Sequence, residues 1–146
     1  MKSSTILLLA VLSASALAGS PEASRPNIVM IVADDHGTDA LGCYGNPVIK
    51  TPNLDALARD GIRFTSAFCT TASCSPSRSV ILSGLQGHHN GMYGLQHQEH
   101  HFQSFDSVKS LPVMLAAAGY RTARVGKFHI APEAVFKFET VLSGGT

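Results

Sequence analysis

The chain has 146 residues, of which 45% are apolar and 14% charged, with a net charge of +1. So even a balance gives no electrostatic reason to expect nucleic acid or an acidic membrane surface as a partner.

Met1-Lys2, the apolar run Ile6-Leu7-Leu8-Leu9-Ala10-Val11-Leu12 and the small-x-small Ala16-Leu17-Ala18 supply a charged start, a short apolar core and a cleavage site. Residues 1–18 thus read as a secretory signal peptide, with the mature chain beginning near Gly19. The run falls short of the ~20 residues that span a bilayer, so no membrane anchor is expected after cleavage. Export places Cys43, Cys69 and Cys74 where disulfides can form, and three is an odd count. If Cys74 is chemically used, Cys43 and Cys69 could pair or stay free. No Asn-x-Ser/Thr acceptor occurs, which favours a bacterial periplasmic or secreted protein over a glycosylated lysosomal one. Residues 19–146 suffice for one small domain and carry no repeats, charge blocks or low-complexity linkers.

Asn27 to Val32 is a continuous apolar, β-branched run, as in a strand buried on both faces of a parallel sheet, and it ends at Ala33-Asp34-Asp35. Thr51 as N-cap, Pro52 as first helical residue, the stripe Leu54, Leu57 and Ala58, and Gly61 as stop predict a helix. Ile62 to Phe68 alternates and reads as a strand or extended stretch. Next comes Cys74-Ser75-Pro76-Ser77-Arg78, with Ser75 placed as N-cap, Pro76 as first helical residue and Val80, Ile81 and Leu82 as the buried part of a short helix. Cys74 then lies at a helix N-terminus, where free N–H groups and the dipole favour an anion such as sulfate or phosphate. Arg78, four residues on, projects from the same face. Gly87 to Gly94 reads as loop, Pro112 to Ala118 as a helix stopped by Gly119, and Tyr120 to Val125 as a strand ending at Gly126-Lys127-Phe128-His129.

In open α/β sheets ligands gather beyond the carboxyl ends of strands, where Asp34-Asp35 and Lys127-x-His129 both fall. Each piece has a plainer reading: a cysteine packed in a core, a carboxylate pair capping a turn, a lysine and a histidine at a solvated strand end. Together they make a site. Adjacent carboxylates repel unless a cation neutralises them, and hard oxygen donors select Ca²⁺ or Mg²⁺. A lysine can hold a sulfate oxygen and a histidine can move a proton near neutral pH. His88, His89, His97, His100 and His101 lack carboxylate or cysteine ligands at recognised spacing, although His97 and His101 have helical i, i+4 spacing. Pocket lining and solvation are therefore expected for them in preference to a transition metal. Asp39, Tyr44, Asp55 and Arg59 are assigned to packing or capping.

Asp34-Asp35, Gly42-Cys43-Tyr44-Gly45-Asn46, Thr51-Pro52-Asn53-Leu54-Asp55, the Cys74 pentad running on to Ser83-Gly84, and Gly126-Lys127-x-His129 together resemble the N-terminal part of a sulfatase. The resemblance implies an α/β fold, the first part of a doubly wound, mostly parallel sheet of alkaline-phosphatase type, incomplete here. It makes residues 19–146 the N-terminal portion of a longer catalytic domain, because the downstream Asp and Asn metal ligands and further sulfate-binding Lys and His residues cannot be assigned, and it leaves activity of this stretch alone open.

The resemblance also implies that a formylglycine-generating, sulfatase-modifying enzyme oxidises Cys74 to formylglycine. Asp34, Asp35 and the modified Cys74 would bind Ca²⁺, with Mg²⁺ second. Arg78 would stabilise the ionised gem-diol, Lys127 would contact sulfate and nucleophile, and His129 would hydrogen-bond a diol hydroxyl. One diol oxygen would attack sulfur, and loss of sulfate would return the aldehyde. Asn90-Gly91-Met92-Tyr93-Gly94-Leu95, His100-His101-Phe102 and Ser104-Phe105-Asp106 resemble the branch that removes N-linked sulfate from glucosamine in heparan-type glycans. O-sulfate esters, phosphate or phosphonate esters, and a non-enzymatic fragment are the alternatives.

Overall fold

The computed structural model describes residues 25–97 and 99–142; the expected signal segment, residues 1–18, lies outside them. The chain divides into a unit ending at Ala33 and a unit beginning at Asp34. In the first, residues 27–32 are not part of any strand, and Val29 is 84% exposed. The strand expected there is not formed: a run buried on both faces needs a ladder neighbour and covering layers, and no ladder to it exists among the described residues.

In the second unit, two 3-10 turns, Thr38–Ala40 and Gly42–Tyr44, precede helix α1, Pro52–Asp60. α1 keeps the expected Thr51 start, Pro52 at its first position and Gly61 end. Thr51, however, does not cap its own helix. Its hydroxyl accepts the Gly42 N–H (2.9 Å) and donates to Asp55 Oδ1 (2.9 Å), which also accepts the Cys43 N–H at 2.7 Å. These bonds clamp the Gly42–Tyr44 turn onto α1. The apolar stripe of α1 is not covered among the described residues, with Leu57 67% exposed. Residues 62–68 form no strand, and Phe68 is 90% exposed. Alternation there marks a segment with one apolar side, but a strand exists only where a neighbour accepts its hydrogen bonds.

Helix α2, Cys74–Ser83, starts earlier than expected, with Ser73 as N-cap and Gly84 in the left-handed region as its end. Proline therefore stands third in the helix rather than first. All N–H groups of the first turn lack intrahelical acceptors, so proline is tolerated throughout it and does not fix the register. The buried face is Ser75, Pro76 and Ser79, not Val80, Ile81 and Leu82. Leu82 only leans against the core and Ile81 is exposed. A one-turn helix α3, Gly87–Asn90, stands where a loop was expected; four residues are too few for periodicity to reveal.

Helix α4, Leu111–Ala117, has Ser110 as N-cap and Pro112 at its second position. Strands β1, Ala123–Val125, and β2, Thr140–Leu142, form a parallel pair with Ala123 opposite Thr140 and Val125 opposite Leu142. β1 is the C-terminal half of the predicted 120–125 strand; β2 was not foreseen. The described architecture is therefore α/β with a small parallel sheet.

Met92, Val108, Ile130, Val135 and Phe136 make the buried core, with Leu82 and Phe128 packed against it. Two polar links brace it. Ser110 Oγ donates to the Val135 carbonyl at 2.6 Å, and the Ser79 and Ser104 hydroxyls meet at 3.1 Å. Cys43, Cys69 and Cys74 are all free thiols. No helix among the described residues is long and apolar enough to cross a membrane.

Candidate active site

Cys74 is the first residue of α2, so its side chain leaves the helix where the N–H groups are unpaired. Lys127 follows β1 by two residues and reaches across to it. Lys127 Nζ lies 3.5 Å from Cys74 Sγ and donates to Asp34 Oδ2 at 2.7 Å. Arg78, one turn along α2 from Cys74, donates through Nη1 to the Lys127 carbonyl at 2.9 Å, and its Nη2 stands 3.5 Å from Asp34 Oδ1. Four expected site residues, Asp34, Cys74, Arg78 and Lys127, therefore meet in one cluster.

The electrostatics follow from these contacts. The hydrogen bond from Lys127 holds the Asp34 carboxyl below its usual range, helped by the charges of Lys127 and Arg78 and opposed by burial. The same bond raises the Lys127 ammonium above its usual value, with Cys74 adding to the effect. The cluster thus places one cation, Lys127, at the Cys74 sulfur and a second, Arg78, at Asp34 behind it.

His129 joins from the side. Its backbone is left-handed, φ +59°, its ring is half-buried, and it stacks on His97 with ring centroids 4.1 Å apart and planes 7° from parallel. Burial is the main cause lowering its pKa, with His97, Lys127 and Arg78 acting the same way and Asp34 opposing. A neutral imidazole adds no charge of its own to a cationic cluster and offers one N–H donor and one nitrogen able to accept a proton. His97 as a partner of this ring was not legible in the sequence beyond its place among several histidines.

Asp35, exposed and with φ +52°, continues the chain from Asp34. Two adjacent carboxylates are hard oxygen donors of the kind Ca²⁺ takes, and the Lys127 ammonium on Asp34 marks where positive charge is accepted. They fit such an ion in kind, as two of its ligands. Among the described residues no group of three or more His, Cys, Asp or Glu side chains is gathered to hold a metal. Asp34, Asp35 and Cys74 do not form one, because Asp34 is engaged by Lys127 and Arg78. His97 and His101 do not share a helix, and His101 has φ +45°.

A cleft of about 560 Å³ lies apart from this cluster, lined by Cys43, Lys50, Asp55, Arg59 and Arg63 among others. Its cations are already engaged: Lys50 with the Pro47 carbonyl, Arg59 with Asp60, Arg63 with the Cys43 carbonyl. The residues expected to form the site sit at the Cys74 cluster, not there.

A helix-borne cysteine in Cys-x-Pro-x-Arg stands beside a cluster of lysine, arginine and aspartate at one end of a parallel strand. Residues 26–145 match the Sulfatase family, and the chain belongs to it. It is 51% identical to the human N-sulphoglucosamine sulphohydrolase over 117 residues, covering 80% of this chain and 23% of that protein. It is also 38% identical to an N-acetylglucosamine-6-O-sulfatase of Bacteroides thetaiotaomicron, covering 99% of this chain and 26% of the relative. With human Arylsulfatase A it shares 42% identity, covering 82% and 24%. The chain thus spans about a quarter of the length of these relatives.

Proposed function

We propose that the protein is a formylglycine-dependent sulfatase that removes N-linked sulfate from glucosamine residues of heparan-type glycans. The observation that carries the proposal is the Lys127 ammonium shared between Cys74 Sγ and Asp34, with Arg78 of the signature helix beside the same carboxylate. The N-sulfate preference rests on the 51% identity to a protein named for N-sulphoglucosamine hydrolysis. An O-sulfate substrate is the second reading, favoured by the identities to the 6-O-sulfatase and the arylsulfatase.

In this reading residues 19–146 are the N-terminal portion of a longer catalytic domain with a doubly wound, mostly parallel sheet. Cys74 is converted by a sulfatase-modifying enzyme, and its formylglycine supplies a hydrated aldehyde as nucleophile in place of a thiol. Asp34 and Asp35 with the modified Cys74 would hold Ca²⁺, and the ion would supply Lewis-acid positive charge when bound.

This chain's own side chains do the rest. Lys127 places its ammonium on the sulfate while staying within reach of position 74, as it now reaches Sγ. Arg78, fixed by the Lys127 carbonyl, aims a guanidinium at charge developing on the nucleophile. His129, kept neutral by burial, hydrogen-bonds a hydroxyl at position 74 and moves its proton. The residue 1–18 signal makes the mature protein secreted or periplasmic.

Two measurements on the full-length gene product from its native host test the proposal. Mass spectrometry of the Cys74 peptide should find formylglycine; unmodified cysteine in an active enzyme overturns the mechanism. Sulfate release from N-sulfoglucosamine should exceed that from O-sulfated sugars and phosphate release from phosphorylated ones. The reverse order assigns the second reading.

A further inference from the structure

We propose that His97 is a positioning residue for His129, holding its imidazole in the plane that serves position 74; the inference rests on the sulfatase reading of the Cys74 cluster. A histidine ring at a reactive site is normally oriented by a hydrogen bond to one nitrogen, which frees the other to act. Among the described residues His129 has no such bond at Nδ1: the atom is buried and without a partner there, as is Nδ1 of His97. What touches the ring instead is the flat face of His97, 4.1 Å away and 7° from parallel.

His97 is itself anchored to the signature helix. The neighbouring Gln96 N–H donates to Ser75 Oγ at 3.0 Å, and Ser75 is fully buried beside Cys74. The segment carrying His97 is closed by the Phe102 N–H on the Leu95 carbonyl at 3.2 Å. Beneath this closure a Cβ on Gly94 would lie 2.6 Å from the Phe102 ring, so the approach is tight. The Cys74 helix thus sets the loop, the loop sets His97, and His97 sets His129. Because His129 also has left-handed backbone, its side chain leaves the chain in a direction the backbone alone would not favour. The face contact with His97 is then a restraint on the ring that no hydrogen bond at Nδ1 replaces among the described residues.

The test uses the full-length enzyme and four variants, H97A, H97F, H129A and H97A/H129A, each with Cys74 modification quantified by mass spectrometry. Turnover of N-sulfoglucosamine should fall on the order of 10–100-fold in kcat for H97A, because a small misplacement of an acting group costs that much. KM should stay within about twofold, and H97F, which keeps a flat ring, should restore most of kcat. In the H129A background, H97A should cost nothing further. Equal losses in H97A and H97F, or an undiminished loss in the H129A background, overturn the positioning role.

A second readout does not depend on activity. In ¹⁵N-histidine-labelled protein the His129 ring protons should be shielded by the stacked ring, lose that shielding in H97A and keep it in H97F. Unchanged resonances in H97A overturn the inference. An intact ring shift in a protein that releases no sulfate instead locates the failure in the sulfatase reading.

Discussion

Lys127 donates to Asp34 across 93 residues of sequence, Nζ to Oδ2 at 2.7 Å, while the same ammonium stands 3.5 Å from Cys74 Sγ. One cation is shared between a carboxylate and the residue that would become the nucleophile. In K127A the Asp34 carboxylate loses its hydrogen-bonded cation and keeps only Arg78, and in the proposed mechanism the substrate sulfate loses its cation. Removing one such donor of developing charge costs about 10²–10³ in rate, so kcat/KM for sulfate release should fall by that order with Cys74 still modified. Turnover within threefold of wild type would remove Lys127 from the mechanism.

Arg78 holds two groups at once, the Lys127 carbonyl through Nη1 and Asp34 through Nη2. A lysine offers a point charge without that planar fork. In R78K the Lys127 loop loses its tie to α2 and Asp34 loses its second cation. Turnover normalised to the modified fraction should drop on the order of 10–100-fold. The normalisation matters because Arg78 also belongs to the pentad that the modifying enzyme would read. Full normalised turnover in R78K would show that the fork is dispensable.

What the sequence revealed depended on whether a signal was local. Pro52 and Gly61 bracket α1 because the preferences for proline at a helix start and glycine past its end act within a turn, and the spacing of Cys74 and Arg78 already put both on one helical face. The apolar runs at 27–32 and 62–68 encode strand propensity, yet neither pairs in a ladder, since pairing depends on neighbours that propensity does not contain. Register within α2 slipped because proline marks a first turn, not a first residue. The His97–His129 stack was invisible for another reason. It joins residues 32 positions apart through ring geometry, and His97 looked no different from its histidine neighbours.

Phe136 is fully buried among Met92, Val108, Ile130 and Val135, and its ring meets Phe128 edge-on at 6.5 Å. This core is small, so each member carries a large share of it. Phe136→Ala should cost about 3–5 kcal/mol through lost burial and the cavity left behind. That is a large part of the ~5–15 kcal/mol that holds a domain together. A urea titration followed by circular dichroism should show the midpoint falling steeply. A loss below about 1 kcal/mol would mean that Phe136 is not a core residue.

His129 gives the fold a pH dependence whose sign its surroundings fix. Burial, His97, Lys127 and Arg78 all disfavour its charged form, and only Asp34 opposes them, so its folded pKa lies below the usual histidine value. As pH falls below about 6.5 the unfolded chain takes up this proton before the folded one does. The contribution of neutral His129 to stability is therefore complete above that pH and is lost progressively as pH drops through the folded value. The comparison that isolates this residue is between wild type and His129→Gln. Urea midpoints at pH 7.5 and 5.5 should show the wild type losing more stability on acidification than the variant. If instead the variant loses as much as the wild type, His129 is solvated in the folded chain and its ring is not held neutral beside Lys127 and Arg78.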